Sequence, residues 1–378
     1  MLRVAAVFGT RPEATKMAPV VLELRRRPGV EALIVSSGQH RELLPQTLAV
    51  FGLRPDIDLA VMAPGQSLTH TTTQVLEGCA RVLPDLRPDV VLVHGDTTTT
   101  LAAALAAFYA RLPVGHVEAG LRTGERYSPF PEEMNRLVAD RIAAFHFAPT
   151  ALAAANLRRE GIAEAGIFVT GNTGIDAVLM LAGPGRRGRG GRRLVLVEAH
   201  RRENLGAPMG GIAAGVRNLV RGRSEIDVIW SVHPNPEVEG PVRAALEGEP
   251  RVRLISPPDF QAWSALMAEA HLLLTDSGGL QEEAPALGLP VLVLRESTER
   301  PEVVSCGAGR LVGTDPARIE AAARELLSDA DAYRRMAEAG SPFGDGQAAR
   351  RTVDGLLFGL GQRARPPEAF TGDGPARR

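Results

Sequence analysis

Acidic side chains stand just past the ends of apolar runs in this chain. The run 89–93 ends in His94-Gly95-Asp96-Thr97-Thr98-Thr99-Thr100, and the next in Glu118-Ala119-Gly120-Leu121-Arg122. Soon after comes Pro129-Phe130-Pro131-Glu132-Glu133-Met134-Asn135-Arg136. Asp96 and Glu118 are expected side by side at two strand ends, with Glu132 arriving from a loop or a helix start. Clustered carboxylates raise one another's pKa, which is how a site obtains both an acid and a base near neutral pH. Two other readings stand beside this one. Asp96 is also suited to cap the following helix, and His94 with the acids is a set that a divalent ion accepts.

Other segments carry the residue types that handle phosphate. Gly9-Thr10-Arg11-Pro12-Glu13-Ala14-Thr15-Lys16 follows the first apolar run. Pro12 suits the first helical position, which leaves N–H groups of that turn, with Arg11 and Lys16, as an anion site in outline. An ordinary capped helix with two solvated cations is the plainer alternative. Lys16 is the one lysine among 43 cationic residues, and a compact ammonium is not interchangeable with a planar guanidinium in a tight phosphate or acid–base site. Farther on, Glu198-Ala199-His200-Arg201-Arg202-Glu203-Asn204 offers a histidine able to lend a proton to a departing phosphate; a solvated strand-end histidine is its alternative. His233-Pro234-Asn235-Pro236 is less specific. In Leu272-Leu273-Leu274-Thr275-Asp276-Ser277-Gly278-Gly279-Leu280-Gln281-Glu282-Glu283, small residues after a strand let a phosphate reach a helix N-terminus. Glu283, about one turn into that helix, is placed to accept ribose hydroxyls. These features together point to a nucleoside diphosphate sugar.

Short Val/Ile/Leu runs alternating with amphipathic segments are the pattern of parallel sheets covered by helices. Strands are expected at 2–8, 31–37, 89–94, 113–118, 144–148 and 166–171, then at 193–198, 226–232, 251–255, 271–275, 290–294 and 309–312. A chain of 378 residues is too long for one ordinary core. The expected division is a first α/β domain at 1–182, a linker at 183–192 and a second domain at 193–345, with a frayed tail at 363–378. The linker holds a literal G-x-G-x-x-G from Gly183 to Gly188. It follows a helical segment and precedes a strand, the reverse of what a dinucleotide site requires, so no nicotinamide cofactor is expected.

Composition narrows the classes further. With 23% charged and 44% apolar residues and a formal net charge of −1, the chain reads as a globular protein without a basic field to recruit nucleic acid. No run approaches the roughly 20 apolar residues of a membrane span. The N-terminal run leads straight into Thr10-Arg11-Pro12-Glu13 and reads as a buried strand, not a signal segment. The only cysteines, Cys79 and Cys306, make no metal-ligand pair and fit a reducing cytoplasm.

The runs Gly9 to Lys16, Gln39-His40-Arg41, His94 to Thr100, Val117 to Thr123, Pro131 to Arg136, His200 to Asn204, Ser277 to Glu283 and Glu299-Arg300-Pro301-Glu302 resemble the bacterial non-hydrolysing UDP-N-acetylglucosamine 2-epimerases. The resemblance spans positions 1 to 360 in the expected order. It implies a GT-B type α/β fold: two Rossmann-like, doubly wound parallel-sheet domains with an interdomain cleft, and a C-terminal helix, 346–362, packing back on the first domain. It also implies a homodimer that needs no cofactor or metal and interconverts UDP-GlcNAc and UDP-ManNAc, through elimination of UDP to 2-acetamidoglucal and its re-addition. ManNAc precursors for cell-surface polysaccharide are the implied output.

Carried over residue by residue, the family's acid–base carboxylates fall on Asp96, Glu118 and Glu132, and the histidine near the leaving diphosphate on His200. The phosphate-side cations fall on Arg11 and Lys16, and the UDP contacts on Ser277, Gly278, Gly279, Glu283 and Arg300. A second, activating substrate site falls on Gln39, Arg201 and His233, although Glu42 and Gly65 stand where Gln and Arg are expected. Glu198-Ala199 replaces a usual Thr-Ala or Thr-Gly, and Pro258 and Trp263 replace residues that frame the uracil. Such a set makes chemical sense. The proton on carbon 2 is unactivated, and expelling UDP first builds oxocarbenium character that acidifies it; this needs cations on the phosphates and carboxylates near the ring.

Overall fold

The first apolar run alternates strictly in the direction its side chains take. Val4, Ala6 and Phe8 enter one core, and Ala5 and Val7 enter another. A strand whose two faces are both buried must belong to a sheet covered on both sides. The computed structural model, which describes residues 1–39, 43–63, 65–183 and 191–372, shows two such sheets.

In the first, β1 (Leu2–Phe8), β2 (Val30–Ser36), β3 (Ile57–Asp58), β4 (Val90–His94), β5 (Val114–Val117), β6 (Phe145–Ala148) and β7 (Ile167–Val169) lie in the order β3-β2-β1-β4-β5-β6-β7. In the second, β8 (Arg193–Glu198), β9 (Ile226–Ser231), β10 (Val252–Ile255), β11 (Leu272–Thr275), β12 (Val291–Val293) and β13 (Gly309–Leu311) lie in the order β10-β9-β8-β11-β12-β13. All pairings are parallel. The two-residue strand β3 was not expected from sequence, since so short an edge segment leaves no periodic signal. Both sheets are doubly wound, with the strand order reversing between β1 and β4 and between β8 and β11. Ligands of such folds collect beyond the strand ends at these reversals.

The chain divides into two units, Met1–Ala177 with Gly346–Thr371, and principally Val178–Asp345. The first division falls inside the helix Thr173–Leu181, ahead of the linker expected at Gly183; residues 184–190 lie outside the described ones. The helix Ala348–Gly359 belongs to the first unit. Its apolar stripe, Ala349, Val353 and Leu356, enters the same core as Phe8 and Phe147. The Asp176 carboxylate accepts its first free N–H groups, from Ala348 at 3.1 Å and Ala349 at 2.9 Å, which completes an otherwise uncapped N-terminus.

The tail, expected to fray from 363, stays docked as far as Phe370. That ring is buried beneath the Arg351 guanidinium at 5.5 Å, and its N–H reaches the Val169 carbonyl at 2.9 Å. An aromatic anchor after a Pro-Pro pair offsets the ordering cost of the short segment. Among the described residues, no helix is long and apolar enough to cross a membrane.

Candidate active site

Strand register brings the first acids together. His94 pairs with Val117 across β4 and β5, and the Gly95 N–H continues the ladder to the Val117 carbonyl at 2.9 Å. The chain then turns at both strand ends through left-handed backbone, at Gly95 (φ 66°), Glu118 (φ 65°) and Gly120 (φ 82°). Gly120 is forced: a Cβ there would come within 2.3 Å of the Ala153 carbonyl oxygen. Glu118 is the exception, a side chain held where an L-residue is disfavoured by about 1–2 kcal/mol. Strain of this kind persists where the surroundings over-determine it, and it gathers at functional positions.

Those surroundings are specific. The Lys16 ammonium bonds Glu118 Oε1, the Asn172 amide approaches the same oxygen at 3.4 Å, and His94 Nε2 lies 3.8 Å from Oε2. Burial drives the His94 pKa down to about 3, so this ring is neutral, and neither of its nitrogens has a hydrogen-bond partner among the described residues. Lys16 therefore stands against a carboxylate, not in a bare anion site. The N-terminus of its helix, Arg11–Arg26, is closed by a capping box. The Thr10 hydroxyl accepts from the Glu13 N–H, and the buried Glu13 carboxylate accepts from Gly9 (3.1 Å) and Thr10 (2.8 Å). A capping box thus forms at this turn, with Arg11 exposed at its edge.

Asp96 does not cap the next helix. That task falls to Thr97, whose hydroxyl accepts the Thr100 N–H at 3.1 Å. The Asp96 carboxylate instead bonds the Arg136 guanidinium, and its carbonyl accepts from the Asn135 amide at 2.9 Å. Both partners lie on the helix Glu132–Ile142. Glu132 opens that helix three and four residues before them, on the same face, so the helix is docked on Asp96 by the stripe that carries Glu132. Arg136 is itself steadied by buried Glu133 at 3.0 Å.

Behind the acids lies a buried pair that sequence reading missed. His116 Nδ1 is 2.6 Å from Asp140, and its Nε2 meets the Gly95 carbonyl at 2.7 Å. Asp140 also accepts from the Gly120 N–H at 3.1 Å and Arg122 at 2.8 Å. Burial opposes charge on both groups, yet mutual attraction wins: His116 is raised and Asp140 falls to about 2. One ion pair thus ties down Gly95 and Gly120, the neighbours of Asp96 and Glu118. A histidine inside an apolar strand gives no sign of this.

The second unit gathers another group at its own reversal, between β8 and β11, where Thr275 pairs with Glu198. The buried Asp276 carboxylate accepts from the backbone N–H groups of His200 (3.0 Å) and Arg201 (2.9 Å) and from the Asn204 amide (2.8 Å). It holds the His200 loop against the start of the helix Gly278–Ala286. Ser277, the N-cap, makes no side-chain capping bond, and Gly278 and Gly279 put no Cβ over that end. Arg300 bonds Glu282 of this helix, and Glu283 is half-buried on its next position. His233 stacks on His200, with ring centroids 5.3 Å apart and planes 13° from parallel.

Arg201 therefore lies with His200 and His233 in the second unit. Gln39 lies in the first, accepting from Thr99 at 3.2 Å; His40, Arg41 and Glu42 lie outside the described residues. Trp263 is buried in the core with Leu196, Ile229 and Met267. Glu198, His200 and Asp276 bring ligand atoms within 4.8 Å of one another, a spacing that a metal ion accepts. The Asp276 oxygens are already taken by N–H donors, so the group reads as a hydrogen-bond cluster.

Comparison with known proteins identifies the family. A family model described as UDP-N-acetylglucosamine 2-epimerase matches residues 22–357. The UDP-N-acetylglucosamine 2-epimerase of Bacillus subtilis is 48% identical over 376 residues, covering 98% of this chain and 99% of its own. That of Salmonella typhimurium is 48% identical over 369 residues, covering 94% and 98%. The crystal structure of the Neisseria meningitidis UDP-GlcNAc 2-epimerase bound to UDP-GlcNAc superposes with a TM-score of 0.82 at 42% identity, covering 94% of this chain and all of that one. With strand-end acids, an open glycine turn and near full-length identity to these enzymes, the chain belongs to the UDP-N-acetylglucosamine 2-epimerase family.

Proposed function

We propose that this enzyme interconverts UDP-N-acetylglucosamine and UDP-N-acetylmannosamine by eliminating UDP to 2-acetamidoglucal and adding it back at the inverted carbon 2. The observation that carries the reading is Glu118, held in left-handed backbone with Lys16 on one oxygen and beside the Asp96 strand end. The first unit serves the sugar: Asp96, Glu118 and Glu132 take and return the carbon 2 proton, and Arg11 and Lys16 balance negative charge on the phosphates. The second unit serves the nucleotide. Ser277, Gly278 and Gly279 offer backbone N–H groups to the diphosphate, Arg300 adds charge, Glu283 accepts ribose hydroxyls, and His200 supports departure of UDP.

Gln39, Arg201 and His233 are the residues of a proposed activating substrate site. Gly65, in left-handed backbone (φ 69°), brings no side chain to it. A cytoplasmic homodimer whose product feeds cell-surface polysaccharide completes the proposal; the two free cysteines support the compartment, and sedimentation of the purified protein tests the dimer.

The test of the reaction is incubation of UDP-GlcNAc with the protein alone in deuterated water, following carbon 2 by NMR. Epimerisation exchanges that proton for deuterium and accumulates the manno isomer. A glycosyltransferase leaves the proton in place, and a hydrolysing enzyme releases free ManNAc and UDP; either result overturns the proposal.

A further inference from the structure

Glu198 ends β8 two residues before His200, and the structure shows what its carboxylate touches. Its Oε1 lies 2.5 Å from His200 Nδ1, and its Oε2 accepts from the Thr275 hydroxyl at 3.0 Å. Thr275 in turn accepts the Ser277 N–H at 3.0 Å. A continuous chain of contacts therefore runs from the glycine turn, through Thr275 and Glu198, to the imidazole. The Glu198–His200 contact is close but off the N–H axis, since Nδ1 meets no hydrogen-bond geometry; it is an ion pair first. A carboxylate oxygen this close attracts positive charge on the ring and favours a proton on the nearer nitrogen, Nδ1.

We propose that Glu198 is a positioning residue for His200, fixing the proton on Nδ1 so that the ring meets the departing diphosphate as an imidazolium through Nε2. The proposal rests on the epimerase reading for the diphosphate and on geometry for the pairing. The charged and titratable groups facing the ring are Glu198 from β8, Asp276 after β11, Arg201 beside it in sequence, and His233 stacked from the loop after β9. His233 Nδ1 accepts the Asn235 N–H at 3.1 Å. The contact with Glu198 comes first among the causes that raise His200, with burial and Arg201 opposing it and Asp276 adding to it. His200 Nδ1 is buried, while 37% of the side chain as a whole is exposed.

The experiment is an NMR titration of the histidine rings in the wild type, Glu198→Gln and Glu198→Thr, with His200 assigned by its loss in His200→Asn. It is paired with the pH profile of kcat. Loss of the carboxylate is expected to lower the His200 midpoint by about one pH unit or more in both variants. The alkaline limb of kcat should move down with it, cutting turnover about tenfold on that limb while altering the acid limb little. A His200 midpoint common to all three proteins overturns the pairing. A midpoint that moves while the alkaline limb stays overturns the role in departure of the diphosphate. A wild-type protein that shows the midpoint difference but never exchanges the carbon 2 proton overturns the epimerase reading and leaves the pairing standing.

Discussion

The two strand-end clusters solve opposite problems. In the first unit the strand-end groups are side chains carrying charge or strain: Glu118 against Lys16, Asp96 against Arg136, both braced from behind by the buried His116–Asp140 pair. In the second unit Asp276 accepts from backbone N–H groups and so sets the shape of the turn at Ser277, with the Arg300 guanidinium beside Gly278. Proton transfer needs particular charges in fixed places; holding a diphosphate needs donors that cost no rearrangement. The sharpest test of this division is a pair of variants. Asp96→Asn is expected to lower kcat about a thousandfold while changing the Kd for UDP less than about threefold. Arg300→Ala should instead weaken UDP by about tenfold to a hundredfold, the scale of one charge-assisted contact. Stopped assays and isothermal titration measure both, and equal loss of turnover and UDP affinity in Asp96→Asn would reassign that carboxylate to binding.

The brace behind the acids predicts a stability effect of similar size. Removing one partner of a buried ion pair costs about 3–5 kcal/mol, so Asp140→Asn should lower the denaturant midpoint steeply. The sign with pH follows from the two groups. Asp140, at about 2 when folded against its ordinary 3.8, contributes stability above 3.8 that disappears as pH falls toward 2. His116, raised above its ordinary 6.5, contributes below 6.5 and loses that contribution as pH rises through its folded value. The gap between wild type and Asp140→Asn should therefore be widest between these limits and shrink on both sides. A gap independent of pH would mean that shape, not charge, is what the pair supplies.

How much of this was written in the sequence depends on whether a residue's role is local. Strand positions were legible to within a residue or so at most ends, because period-two burial in β1 or β8 is a property of neighbours along the chain. Asp96 and Glu118 were legible as strand-end acids for the same reason. Their partners were not. Arg136 reaches Asp96 across 40 positions and Lys16 reaches Glu118 across 102, and nothing in either local pattern names the other. The capping role of Glu13 was not singled out either, since a capping box and a phosphate turn share the same residue types. His116 and Asp140 were missed because a polar residue inside an apolar strand or helix looks like a packing residue until its partner is seen.

The backbone of Glu118 gives the finest discrimination between the two regions. Replacing Glu118 removes its contact with Lys16 whatever takes its place, so Glu118→Ala alone cannot report strain. Comparing Glu118→Gly with Glu118→Ala does, because both lose the carboxylate and only one keeps a Cβ at φ 65°. Glycine adopts that region freely, whereas alanine is disfavoured there, so Glu118→Gly should be the more stable of the two by about 1 kcal/mol, read as a higher Tm. Part of that gain is offset by the greater freedom of glycine in the unfolded chain. Among the described residues of the second unit no side chain beyond glycine stands in left-handed backbone, so no position there should reward glycine in this way. Glycine ahead of alanine at position 118 is the signature of strain at this strand end, and neither Glu118 variant should exchange the carbon 2 proton. Equal stability of Glu118→Gly and Glu118→Ala would remove backbone strain from the account of this site and leave Lys16 and Asn172 to hold the carboxylate in place.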